Sequence, residues 1–115
     1  MSQDRPYDNF IRECMFIDHI QNNIIKVLVM FGFGASQLLH VRLHNIQIDN
    51  NNEDMLDNLF DFLDNKRFFM KSYKKGHLSN YYLVVLMDEN GVNINEELIR
   101  LGYATKFKKD THRND

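Results

Sequence analysis

The densest set of reactive side chains in this sequence lies between Lys66 and Tyr82. Lys66, Arg67, Lys71, Lys74 and Lys75 are interleaved there with Tyr73, His77, Tyr81 and Tyr82. Cations that neutralise phosphates, set among rings on which bases can stack, are what single-stranded nucleic-acid binding uses. In an extended chain Lys71 and Tyr73 share one face, with Lys75 nearby. The plain alternative is a solvated turn whose rings belong to the core. Arg42 is a further cation able to hold a phosphate. Its plain alternative is a strand arginine paired with an aspartate of the acidic helix that follows. The tail cations Lys106, Lys108, Lys109, His112 and Arg113 either extend a basic patch or only keep the end soluble.

Other chemistry is sparse. His40 and His44 are four apart but lie in strand-like sequence, and no His or Cys pair has the close spacing of zinc ligands. No metal and no cofactor is expected. The single Cys14 excludes an internal disulfide framework and suits a reducing compartment. Its plain role is a small buried hydrophobe. Asp54, Asp57, Asp61 and Asp64 line one side of a helix-like stretch and read as a solvated face. Met30, Phe31 and Phe33, beside Gly32 and Gly34, either cap the core or stand on a projecting hairpin as a protein contact.

These side chains need a frame. The 115 residues, 43% hydrophobic and 12% aromatic, suffice for one domain with its own core. A net charge of −2 gives no global field toward nucleic acid. The N-terminal MSQDRPYDNF lacks an apolar signal core, and the apolar run Val27 to Phe33 is too short to span a bilayer. A soluble, intracellular and cytoplasmic protein is expected, with the nucleus left open.

Residues 1–11 read as a loose lead-in around Pro6 and 108–115 as a charged tail, which leaves a domain over 12–107. FIRECMFIDHI (10–20) suggests a strand starting near Arg12, or a short helix before it. IIKVLVMF (24–31) is rich in β-branched residues and reads as a buried strand. LLHVRLHNIQI (38–48) alternates, then shifts phase near His44–Asn45, which implies a bulge or a strand end. A helix over Glu53 to Asn65 puts Met55, Leu56, Leu59, Phe60 and Leu63 on one face. Two strands follow, Phe68 to Tyr73 and Tyr81 to Met87. VNINEELIRLGYATKF (92–107) forms a closing helix, with Asn93 or Asn95 as N-cap, Glu96 and Glu97 in the first turn and Gly102 at the stop. The order β-β-β-α-β-β-α gives a mainly β, α+β fold: a five-stranded Greek-key barrel of OB type.

Two segments carry a resemblance. Ile94-Asn95-Glu96-Glu97-Leu98-Ile99-Arg100-Leu101-Gly102-Tyr103-Ala104 is similar to the "V-N-x-x-L-(V/I)-x-x-G-x-A" of the staphylococcal-nuclease-like domain of thermonucleases and Tudor-staphylococcal nuclease proteins. Val41-Arg42-Leu43-His44-Asn45-Ile46-Gln47 resembles its "V-R-L-x-G-I-D". The resemblance spans about residues 12–107. It implies the same barrel and locates the family's site. Arg42 retains the phosphate-contacting arginine. The calcium-binding Asp closing the second motif is Gln47 here. The general-base Glu three residues on is Asn50, and Asp49 stands where its neighbouring Pro would be. Asn23 takes the place of the metal-ligating Asp of "D-G-D-T". The second arginine, from "Y-G-R", has no counterpart in Ser79-Asn80-Tyr81-Tyr82.

An amide is a far weaker calcium ligand than a carboxylate and cannot act as a general base. The resemblance therefore implies a catalytically degenerate module that binds instead of cutting, such as the scaffolding barrels of small-RNA and germ-granule complexes. A protein partner or a second copy is the first expectation. RNA or single-stranded DNA, through Arg42, Lys71, Tyr73, Lys74, Lys75 and Tyr81, is the second. The rival class is an enzyme, a calcium-dependent phosphodiesterase with a rearranged site. No aromatic-cage strand pattern is inserted in the barrel, so methyl-arginine reading is not expected.

Overall fold

Alternation along the second strand sets the interior. Ile25, Val27 and Val29 are fully buried, while Lys26, Leu28 and Met30 face outward and are half-buried. The computed structural model describes residues 10–73 and 81–107. The elements are β1 (Phe10–Gln21), β2 (Ile24–Gly32), β3 (Ala35–Leu43), β4 (Ile46–Gln47), α1 (Glu53–Leu63), β5 (Phe68–Tyr73), β6 (Tyr82–Met87), α2 (Ile94–Arg100) and β7 (Thr105–Lys106). Five strands close a mixed barrel in the order β1-β2-β3-β6-β5, and β4 and β7 form a separate two-stranded sheet. The fold is a mainly β, OB-type α+β barrel.

β1 serves two neighbours. Its first part pairs with β5, from Phe10↔Ser72 to Cys14↔Phe68. Its second part pairs with β2, from Cys14↔Val29 to Gln21↔Ile24. Two register irregularities, at Phe16/Asp18 and His19/Gln21, add the bend this needs. β2 and β3 form a regular antiparallel hairpin from Ile24↔Arg42 to Met30↔Ser36. β3 then meets β6 in parallel over Val41↔Tyr82 to Leu43↔Val84, which closes the barrel. A parallel pair cannot be joined by a tight hairpin; the long connection carries α1 and β5.

Both helices begin on asparagine caps. Asn52 accepts from the Met55 N–H at 3.1 Å, and Asn93 from the Glu96 N–H at 3.0 Å. Such a cap contributes ~1 kcal/mol. Leu59 and Leu63 carry α1 into the core, with Leu56 and Phe60 packed at its margin. α2 ends in a Schellman motif: the Gly102 N–H reaches the Ile99 carbonyl and the Tyr103 N–H the Leu98 carbonyl. Gly102 has φ +83, a conformation that a side chain would strain.

Several boundaries differ from those expected. β1 starts at Phe10, because Phe10 and Ile11 still find partners on β5. The 38–48 stretch is two strands: Asn45 at φ 69 breaks it, and Ile46–Gln47 turns away to pair with β7. Asn93 is the α2 cap, which frees Asn95 for the interior. The rest of the lead-in and the tail 108–115 lie outside the described residues.

Candidate functional site

The turn from β1 to β2 and the segment after β4 meet at an open depression of about 340 Å³. Asn22, Gln47, Asp49, Asn50, Met55 and Thr105 line it. Asn22, at φ 52, turns its backbone toward Asn50. Its N–H donates to Asn50 Oδ1 at 2.7 Å, and Asn50 Nδ2 donates back to Asn22 Oδ1 at 2.9 Å. The Asn50 amide thus engages Asn22 through both its oxygen and its nitrogen. Asp49 Oδ1 accepts from the Asn51 N–H at 2.9 Å. Thr105 Oγ1 lies 3.4 Å from the Gln47 carbonyl, on the β4–β7 sheet.

Of the positions singled out by resemblance, Gln47 and Asn50 come together here. Asn23 does not. It is only 7% exposed, its Nδ2 donates to the Leu43 carbonyl at 3.0 Å, and the Leu43 N–H donates to its carbonyl at 2.8 Å. Asn22 takes the outward place beside Asn50. Among the described residues, no group of three His, Cys, Asp or Glu could hold a metal ion. The depression offers amides and one carboxylate, a set suited to neutral hydrogen bonding.

Arg42 does not line this depression. It faces outward from β3, opposite Ile24 and beside Leu83. The expected ion pair with an α1 aspartate is absent among the described residues. By strand parity Arg42 shares the outer β2–β3 surface with Lys26 and His40. Those two are directly opposed across the strands, and the His40 ring stands 6.3 Å from that of Tyr81. This strip escapes sequence reading because it depends on register between two strands. The outward parity of Lys26 in IIKVLVMF was its one local sign.

The cations near Lys66 are dispersed. Lys66 Nζ sits 4.0 Å above the Phe62 ring, and Arg67 pairs with Glu13 at 2.7 Å while covering Phe69. Lys71 is on β5 opposite Ile11 and Val85, and Tyr73 pairs in register with Leu83. Lys74, Lys75 and His77 lie outside the described residues. A larger groove, about 750 Å³, runs between Phe62, Lys66, Asp88, Val92 and Glu97. Two of its carboxylates are engaged: Asp88 accepts from the Asn90 and Val92 N–H groups, and Glu97 binds Arg100 at 2.6 Å.

The β2–β3 hairpin tip is apolar and open. Met30 is half-buried, Phe31 is exposed with the Arg12 guanidinium 5.9 Å from its ring, and Phe33 is fully exposed at φ 54. Phe33 does not cap the core, because the ribbon carries it past the last β1–β2 pair. Cys14 is fully buried, and burial, then the neighbouring Glu13 charge, pushes its thiol up to about 12. It is no nucleophile.

These features define a small OB-type barrel with an amide-lined depression, an outer cationic strip and an apolar hairpin tip. No protein-family model matches the chain, and no curated protein matches it. No helix among the described residues is long and apolar enough to cross a membrane.

Proposed function

We propose that this chain is a non-catalytic, staphylococcal-nuclease-like binding module whose barrel serves as a protein-interaction scaffold. Phe33 carries the reading. A bulky residue in the left-handed region costs ~1–2 kcal/mol, and full exposure returns nothing for it within the chain. A partner's apolar surface supplies the missing return. Amides at Asn23, Gln47 and Asn50 support the non-catalytic half. A small-RNA or other RNA-associated complex is the setting the family likeness suggests.

Incubation with single-stranded DNA and RNA, with and without calcium, tests the reading. No cleavage is expected. Calcium-dependent cleavage that vanishes on Arg42→Ala would establish the rival phosphodiesterase.

A second reading, single-stranded nucleic-acid binding, is favoured by the strip Lys26, His40, Arg42 and Tyr81. Two cations beside two rings are the means by which OB-type surfaces hold a strand. A salt-dependent shift of a labelled oligonucleotide distinguishes it.

A further inference from the structure

We propose that the edge of β3 that no strand covers among the described residues is a self-association surface, where β3 of a second copy pairs antiparallel across a two-fold axis beside Gln37. The inference rests on the reading of the barrel as a protein-binding module and names the partner as another copy.

Backbone directions locate the edge. The Leu43 N–H donates to Asn23 on the β2 side, and the His44 N–H donates to Val84 on the β6 side. Successive residues of a strand alternate sides. Odd-numbered β3 residues therefore bond β2, and even-numbered ones face the other edge. Among the described residues, β6 covers that edge over Val41–Leu43. Ser36 and Leu38 thus aim N–H and carbonyl groups where, among the described residues, no strand pairs with them, whereas His40 is already engaged by Tyr82 through the Val41↔Tyr82 bridge.

The edge also carries no guard in its own sequence. Strand edges are normally blunted by charges, prolines or bulges. β1 beyond Cys14 is protected in this way, with two register irregularities and Asp18. From Ala35 to His40, ASQLLH, there is no carboxylate, lysine, arginine or proline, and pairing with β2 is regular from Ser36 to Arg42. Leu38, 53% exposed, adds an apolar side chain on the outer face.

In this register a second copy brings no like charges together. The two-fold places Gln37 opposite Gln37, Ser36 opposite Leu38 and Ala35 opposite Leu39. Two glutamine amides can each donate and accept. The end nearest Tyr81, which stands by His40, receives Gly34 and Ala35, the smallest residues of the hairpin. Ser36 and Leu38 exchange N–H···O bonds with their counterparts, in an isologous contact that closes at two chains. The contact is small, so the dimer is weak and concentration-dependent.

Sedimentation equilibrium from about 10 μM to about 1 mM, the span of weak affinities, tests this together with amide exchange. The mass should rise toward the dimer, and the Ser36 and Leu38 amides should gain protection with concentration. Gln37→Lys or Gln37→Glu alone should weaken association at least tenfold, because each sets like charges face to face. Their equimolar mixture should restore it as a heterodimer. A wild-type chain that stays monomeric, protection that appears elsewhere, or a Gln37→Lys chain that associates normally would each overturn the proposal. Nucleic-acid cleavage would defeat the binding-module reading while leaving the association data standing, so the two failures are distinguishable.

Discussion

The side-chain amide of Asn95 donates to the carbonyl of His44, 51 residues earlier, at 3.0 Å. The same nitrogen lies 3.2 Å from the Val84 carbonyl, and Asn95 Oδ1 accepts from the Leu86 N–H at 3.0 Å. One buried side chain thus ties α2 to β6 and to the turn after β3. Asn95→Leu leaves the His44 carbonyl and the Leu86 N–H without this partner, whereas the Val84 carbonyl keeps the His44 N–H. Buried unsatisfied groups cost ~1–3 kcal/mol each, so a loss of about 3 kcal/mol in urea unfolding is expected. Asn95→Asp should be at least as damaging, since a carboxylate cannot donate to either carbonyl. A loss below about 1 kcal/mol for both would show that the staple matters little.

Cys14 gives the fold an alkaline limit. Its thiol has a folded-state pKa raised from 9.0 to about 12. A raised value means that the stabilisation is complete below pH 9.0 and drains away as the pH climbs toward 12. The expected extra slope is ~1.4 kcal/mol per pH unit in that window. Cys14→Ala should remove this slope, although it lowers stability at neutral pH by opening a small cavity. Equal slopes in the two proteins would contradict it.

At the hairpin tip the expectation runs the other way. Phe33→Asn should raise stability by up to ~1 kcal/mol, because asparagine accepts the left-handed conformation more readily and no packing is lost. Thermal unfolding reads this directly. Destabilisation would mean that the ring supports the fold.

Glu97 and Arg100 provide a titration marker for α2. The Arg100 hydrogen bonds, then its charge, hold the Glu97 carboxyl below its ordinary 4.5. The pair's contribution is present above that pH and is lost as the pH falls through the lowered value. Arg100→Ala should return Glu97 toward 4.5 in an NMR titration. An unchanged midpoint would show that the bridge does not form in solution.

For the cationic strip, Lys26→Ala and Arg42→Ala should each weaken oligonucleotide binding across sequences. Each should also reduce the salt slope by about 1. Wild-type affinity in both variants would remove the second reading.

Local chemistry explains what was legible in the sequence. β2 announced itself through β-branched residues, α1 and α2 through caps and apolar spacing, and the break at Asn45 through a change of phase. The β4–β7 sheet was invisible because strands of two residues have no period. The parallel closure of β3 on β6 was not readable either, since it joins segments 41 residues apart. Around the depression, a one-residue matter of facing decided the outcome: Asn22 points out and Asn23 points in. Asn95 looked like a possible cap because its buried role depends on carbonyls of β6 and of the turn after β3.

The parallel seam between β3 and β6 also bears on the order of folding. β1, β2 and β3 are joined by tight turns and can pair early, whereas the seam must wait for the whole stretch through α1 and β5 to be gathered in. Contacts of long sequence separation come at high entropic cost and slow the search. Until they form, Val41, Leu43 and the inner face of the meander have no lid. The barrel is therefore expected to close late and cooperatively. Side-chain truncations at Val84 or Leu86 should mainly speed unfolding, and truncations at Val27 or Val29 should slow folding.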